Sequence, residues 1–201
     1  TPDAENRKKL LKDISHDVER IERLITDYSQ MLKDEASLSR AKMTKINLAS
    51  VINTVVEDFN NDLLNSNKNI KIKVNQTNLN GSKLHVLGVE SKLEQIIANI
   101  LDNAVSFSPR NSQISILCNI KKNEVQLIFE DEGPGFDKNN INKVFNRFYS
   151  NRPEKFGEHS GLGLNIVKNI IELHGGSIKV SNKSGNKRGA RIEVLLPIHV
   201  N

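Results

Sequence analysis

Two asparagines four residues apart, Asn99 and Asn103, share one face of a strongly apolar helical stretch. Ile96, Ile97, Ile100 and Leu101 surround them and should turn toward a core. Amides beside such a stripe cost stability unless they are satisfied. Two readings follow. The pair is a solvent-facing edge, or it offers a side-chain oxygen to Mg²⁺, a hard cation that takes few protein ligands and completes its shell with phosphate and water.

A second group, Asp131-Glu132-Gly133-Pro134-Gly135, ends a strand-like run. Read alone, the glycines around Pro134 are a plain turn signal. Together with the carboxylate they allow more: Asp131 could accept a hydrogen bond from an exocyclic amine, while Gly133 and Gly135 let a base lie against the backbone. A bond of this kind to a charged group is worth about 1.5–3 kcal/mol. Guanine, with a carbonyl at that place, would face the carboxylate with a second acceptor. A third group, Ser160-Gly161-Leu162-Gly163-Leu164, opens a helix, where free N–H groups and the helix dipole favour phosphate. Its Gly-x-Gly is weak evidence alone. It lacks the Lys-Ser/Thr pair and the preceding strand of the Walker loop, and it is not the dinucleotide fingerprint.

Around these groups the elements follow from periodicity. Leu11, Ile14, Val18, Ile21, Ile25, Tyr28 and Leu32 alternate three and four apart, a helix-bundle seam. No Gly or Pro interrupts residues 3–40, so this is one helix, and its stripe needs a partner helix to bury it. A linker follows. Asn47 can cap a second helix carrying Leu48, Val51, Ile52, Val55, Val56 and Phe59. Ile70, Ile72 and Val74 alternate as a strand, and a helix runs from about Glu90 to Phe107. Ser112–Ile120 and Glu124–Glu130 read as a hairpin; residues 132–160 are irregular, an insertion or a lid. A helix from about Gly161 to His174 stops at Gly175-Gly176, and Ser177–Ser181 and Ala190–Leu196 close the chain as strands. Without regular βαβ alternation, this predicts an α+β sandwich, a mixed sheet with one helical layer, preceded by one long bundle helix.

Composition narrows the field. The chain has 201 residues, 37% hydrophobic and 26% charged, ordinary for a globular protein. Its net charge of +5 is scattered, with no basic stripe interleaved with aromatics, so no nucleic-acid partner is expected. The single Cys118 sits among apolar residues and reads as a buried strand residue in a reducing compartment. No apolar run approaches a membrane span. The chain begins at Thr1 rather than Met, as expected of a piece of something longer.

In order and spacing the groups resemble the ATP-binding domain of histidine kinases, of the Bergerat-fold family. Asn99-Ile-Leu-Asp-Asn103-Ala looks like the N-box, Asp131 to Gly135 like the first glycine box, and Val144-Phe145-Asn146-Arg147-Phe148-Tyr149 like the F-box. Gly161-Leu-Gly-Leu164 with His174-Gly-Gly looks like the second glycine box and its helix end. The likeness covers about residues 47–197 and implies ATP and Mg²⁺ as cofactors. It implies Asn103 as the Mg²⁺ ligand, Asn99 near the γ-phosphate, Asp131 on the adenine amine, and a lid between the glycine boxes. The site residues so implied are Asn99, Asn103, Asp131, Gly133, Gly135, Gly161, Leu162, Gly163 and Leu164. Residues 1–40 look like the second helix of a dimerisation hairpin, 41–46 a linker, and 47–201 the catalytic domain. The Asn-Ala-x-Ser-Phe-Ser run and the lid sequence are similar to ChvG/ExoS-type sensor kinases of alphaproteobacteria. The resemblance implies a homodimer through the bundle, a response-regulator receiver domain as partner, and the cytoplasmic portion of an inner-membrane sensor kinase.

Two features depart from the family pattern. Ser106 stands where a Lys or Arg is usual, and Arg147 or Arg152 could supply that charge. Ser15-His16-Asp17 suggests a phosphoacceptor, because the carboxylate could orient the imidazole. However, Val18-Glu19-Arg20-Ile21 lacks the family's Pro, and a single helix follows, so His16 reads as a surface histidine and the acceptor is expected upstream. Two rivals stay open: an ATP-gated machine like Hsp90, MutL or gyrase, which would carry a water-activating Glu where Asn99 stands, and a degenerate interaction module.

Overall fold

A computed structural model describes residues 2–38, 41–62, 68–77, 84–149, 161–185 and 187–199; within the first helix only part of the side chains is described, that of His16 not among them. Helix α1, Pro2–Leu38, is unbroken, as the lack of Gly and Pro predicts. Its seam residues Leu11, Ile14, Val18, Ile21, Ile25 and Leu32 are all exposed.

Strand β1, Thr44–Asn47, pairs antiparallel with β3, His85–Gly88, and sets buried Ile46 opposite buried Val86. Neither strand was evident from the sequence, and the stretch read as a linker, 41–46, ends inside β1. Four-residue strands are too short for alternation to register. Helix α2, Leu48–Asn61, starts where predicted, but Asn47 makes no side-chain cap bond. The Leu48 N–H is taken instead by the Leu84 carbonyl at 2.7 Å, just ahead of β3.

The remaining elements are β2 (Lys71–Gln76), α3 (Glu90–Phe107), β4 (Gln113–Lys121), β5 (Glu124–Glu130), α4 (Gly163–Leu173), β6 (Ser177–Asn182) and β7 (Ala190–Pro197). They build a mixed sheet in the order β2-β4-β5-β7-β6, parallel only between β2 and β4. Register aligns the apolar residues in rows: Ile116 faces Phe129 and Phe129 faces Ile192, while Cys118 faces Leu127 and Leu127 faces Val194. These rows pack with Ile52, Leu93, Ile97, Ile100, Val167 and Ile171 of the helices into one core. Such alternation is what lets a strand bury one face. The α+β sandwich with one helical layer is therefore present.

Helix α4 ends as Gly175-Gly176 predicts. The Gly176 N–H returns to the Ile171 carbonyl at 2.9 Å and the Gly175 N–H to Glu172 at 3.0 Å, the paired bonds of a Schellman stop. Between helix and stop lies buried His174. Its Nε2 accepts the Val89 N–H at 3.2 Å, which leaves Nδ1–H to donate to the Ile170 carbonyl at 2.7 Å. Val89 is the N-cap residue of α3, so the imidazole ties the end of one site helix to the start of the other. His174→Ala should lower the unfolding free energy by about 1–3 kcal/mol in urea melts, because it strands the Val89 N–H, while the Ile170 carbonyl keeps the main-chain N–H of residue 174. An unchanged midpoint would show that this tie carries no load.

Candidate functional site

Helix α3 presents the two amides. Asn103 Nδ2 donates to the Asn99 main-chain carbonyl at 3.0 Å, which leaves Asn103 Oδ1 as an acceptor without a bond to the described residues. Asn99 Nδ2 is buried and has no hydrogen-bond partner among the described residues. An orphaned buried donor is costly and uncommon, so a solvent-facing edge does not account for it; a ligand acceptor would. Gly163, the first residue of α4, faces Asn103: a Cβ added to it would stand 3.5 Å from Asn103 Nδ2. The free N–H groups of an eleven-residue helix thus open toward the Asn103 amide.

The helix begins at Gly163, two residues later than predicted, with Leu162 at its N-cap. Gly161 turns the chain at φ 69°, and a Cβ there would stand 2.9 Å from the Tyr149 carbonyl oxygen. Gly161 therefore makes room for the Phe148–Tyr149 backbone. Leu162 is fully buried and Leu164 packs against the core, so both side chains anchor the loop and only their backbone is left for a ligand.

Asp131, at the end of β5, is buried. Its Oδ1 accepts two backbone N–H groups, Gly133 at 2.8 Å and Ala190 at 3.0 Å, and Oδ2 receives no bond from the described residues. Burial pushes its carboxyl above the usual range; the two backbone bonds and the Lys183 charge oppose that shift, and Glu132 adds to it. Gly133 lies against the end of α3, where a Cβ would meet the Phe107 carbonyl oxygen at 3.0 Å. A Cβ on Gly135 would stand 2.6 Å from Asn182 Oδ1. The Asn182 amide holds Phe136 by both its N–H, at 2.6 Å, and its carbonyl, at 2.8 Å.

The segment between the glycine groups is described up to Tyr149 and contains a single turn of 3-10 helix, Ile141–Lys143. Asn165 of α4 donates to the Phe145 carbonyl at 2.9 Å, and Lys168 lies 5.7 Å from the Phe145 ring centroid. Arg147 donates to the Tyr28 hydroxyl at 3.3 Å and stacks over its ring, so in this arrangement it contacts α1. Arg152 lies outside the described residues. At the Ser106 position, Lys68 Nζ donates to the main-chain carbonyls of Val105 and Ser106, at 2.8 and 3.0 Å. Cys118 is buried and its thiol is pushed up to about 11 by that burial, which leaves it inert.

Asn103 and Gly163 thus come together, and Gly133 brings the Asp131 turn to the end of the same helix. What the sequence did not reveal is the support around the Asp131 turn: Asn182 at the end of β6, Lys183 just beyond it and Ala190 at the start of β7. Those contacts join residues far apart in the chain and have no local signature.

Comparison with known proteins agrees with this geometry. Residues 88–200 match the family model described as histidine kinase-, DNA gyrase B-, and HSP90-like ATPase. The chain is 36% identical to the sensor protein ChvG of Rhizobium meliloti over 96% of its own length and 35% of the relative's. It is 35% identical to ChvG of Agrobacterium fabrum, over 96% of this chain and 34% of that one. It therefore spans about a third of the length of the curated relatives it matches. Among solved structures, the mycobacterial sensor histidine kinase MprB superposes with a TM-score of 0.64 at 28% identity, covering 78% of this chain and 97% of that one. With more than half of its residues inside the family model and its site helices in the arrangement described, the chain belongs to the histidine kinase-, DNA gyrase B-, and HSP90-like ATPase family and carries a histidine-kinase ATP-binding domain.

Proposed function

We propose that this chain holds ATP with Mg²⁺ and donates the γ-phosphoryl group to a histidine imidazole, from which it passes to an aspartate of a response-regulator receiver domain. The observation that carries the reading is the Asn99–Asn103 pair on α3, with Asn103 facing the start of α4. It offers an oxygen for a hard cation, an unpaired amide donor, and no carboxylate to activate water. Asn103 Oδ1 is the group that would hold Mg²⁺, which would neutralise phosphate charge. Asn99 would donate to the γ-phosphate, and the backbone at Gly161, Leu162, Gly163 and Leu164 would cradle the phosphates. Asp131 Oδ2 would accept from the adenine amine, with Gly133 and Gly135 letting the base approach. Positioning and charge neutralisation carry catalysis in such transfers.

On this reading residues 47–201 are the catalytic domain and residues 1–40 the second helix of a dimerisation hairpin. The exposed seam of α1 is then the face that a homodimeric bundle covers. The whole protein would be an inner-membrane sensor kinase with this portion in the cytoplasm; among the described residues no helix is long and apolar enough to cross a membrane.

The test supplies labelled ATP and a separately made upstream helix bearing a histidine. Label should enter that helix and not this chain, with negligible phosphate released to water. Label on this chain that vanishes in His16→Ala would place the acceptor here instead. Asn103→Ala should slow transfer by about 100-fold or more while leaving the thermal melt of the protein unchanged. Full transfer by that variant would remove Asn103 from the metal's shell.

A further inference from the structure

The turn between β6 and β7 carries none of the motifs on which the nucleotide reading rests, yet it encloses the Asp131 turn. Asn182 clamps the backbone of Phe136 from one side. Lys183 Nζ donates to the Asp131 main-chain carbonyl at 3.1 Å, and the Lys183 N–H is held by the Gly189 carbonyl at 3.0 Å. Ala190 then takes Oδ1 of the same aspartate, and its own carbonyl accepts the Asp131 N–H at 3.2 Å. Lys183 is thus fixed at both ends, with its ammonium beside a buried carboxylate.

From this geometry we propose that Lys183 is a specificity-determining residue of the nucleotide site, holding Asp131 as the anionic acceptor that takes an amine and refuses a carbonyl. The proposal rests on the reading that Asp131 meets the base. A neutral Asp131 would present an O–H at Oδ2, a donor that mismatches the adenine amine and fits the guanine carbonyl. Burial drives Asp131 toward that neutral form, and Glu132 pushes the same way. Against them stand the backbone N–H groups of Gly133 and Ala190 and the charge of Lys183. Of these, Lys183 is the one contribution that lies in a side chain and can be removed without altering the backbone.

The experiment measures ATP and GTP affinity of the full chain by calorimetry from about pH 4, the ordinary carboxylate value, up to about pH 8. The ATP-to-GTP ratio cancels the titration of the phosphates common to both. Lys183→Met keeps the aliphatic stem without the charge. It should move the loss of ATP preference to higher pH, and Lys183→Arg should restore the wild-type profile. A Met variant whose ratio follows the wild-type pH profile, with only a uniform change in affinity, would overturn the proposal and reduce Lys183 to a pin for the turn. Asp131→Asn in the same series separates the two levels. If it loses adenine preference while Lys183→Met does not shift the profile, only the role of Lys183 falls. If it keeps wild-type ATP affinity, Asp131 does not meet the base and both readings fall.

Discussion

Asp131→Asn should weaken ATP binding by about 10- to 150-fold, the loss of one hydrogen bond to a charged group, and should at the same time raise the melting temperature of the ligand-free domain at neutral pH. The two effects come from one fact, that a carboxylate is kept buried at the end of β5. The amide keeps an oxygen for the Gly133 and Ala190 N–H groups, so the turn can stay closed. Its nitrogen would then meet the adenine amine, donor against donor. The stability gain follows from the direction of the shift. The folded carboxyl lies above its unfolded value, so the fold favours the protonated form. That contribution is fully present below the unfolded value, near 4, and is lost as pH rises through the raised folded value. At neutral pH the ionised side chain is therefore a burden that asparagine removes. Thermal melts with and without nucleotide, at neutral and acid pH, check both halves. A ligand-free variant that melts lower at neutral pH would contradict the burial account, and an undiminished shift with ATP would remove Asp131 from the adenine contact.

This opposition explains why the candidate site groups were easy to find and their supports were not. Asn99, Asn103 and Asp131 break local rules: amides on an apolar stripe, an acid closing an apolar strand. A single sequence shows such violations directly, and they mark sites where stability has been given up for function. The helices and the central strands were legible for the opposite reason, since Ile96, Ile97, Ile100 and Leu101 recur at helical spacing and Ile114, Ile116 and Cys118 at every second position. The β1–β3 ribbon was not, because its four-residue strands carry only two periods each and their pairing joins residues about forty apart. Nor was the tie from His174 to Val89, which spans 85 residues, or the contact of Arg147 with Tyr28, which spans 119. Periodicity and motif spacing register neighbours along the chain; these bonds register neighbours in space. The start of α4 shows the same limit on a small scale. Leu162 looks like part of a helix by sequence, but burying its side chain and turning at Gly161 delay the helix to Gly163.

The second large effect is expected at Gly189, in the turn that backs the aspartate. Its φ is 139°, and a Cβ there would stand 2.0 Å from the Asp131 main-chain oxygen and 2.7 Å from Lys183 Cδ. The lysine carbon belongs to a flexible side chain and could give way; the backbone oxygen belongs to a paired strand end. Gly189→Ala therefore combines an unfavourable backbone region, about 1–3 kcal/mol, with overpacking of similar size, about 1–3 kcal/mol. Relief of the clash requires the Asp131 carbonyl to move, which breaks its bond to Lys183 and shifts the carboxylate. ATP affinity should fall together with stability. Gly185 in the same turn provides the control: its φ is also positive, 75°, but among the described residues no atom lies within 4 Å of an added Cβ. Gly185→Ala should thus pay only the backbone strain, about 1–2 kcal/mol, and keep its affinity for ATP. Urea unfolding and nucleotide titration of the two variants separate strain from contact. Equal losses at both positions would mean that the turn does not press on Asp131, and the support for the adenine contact proposed for that carboxylate would have to come from β5 and Gly133 alone.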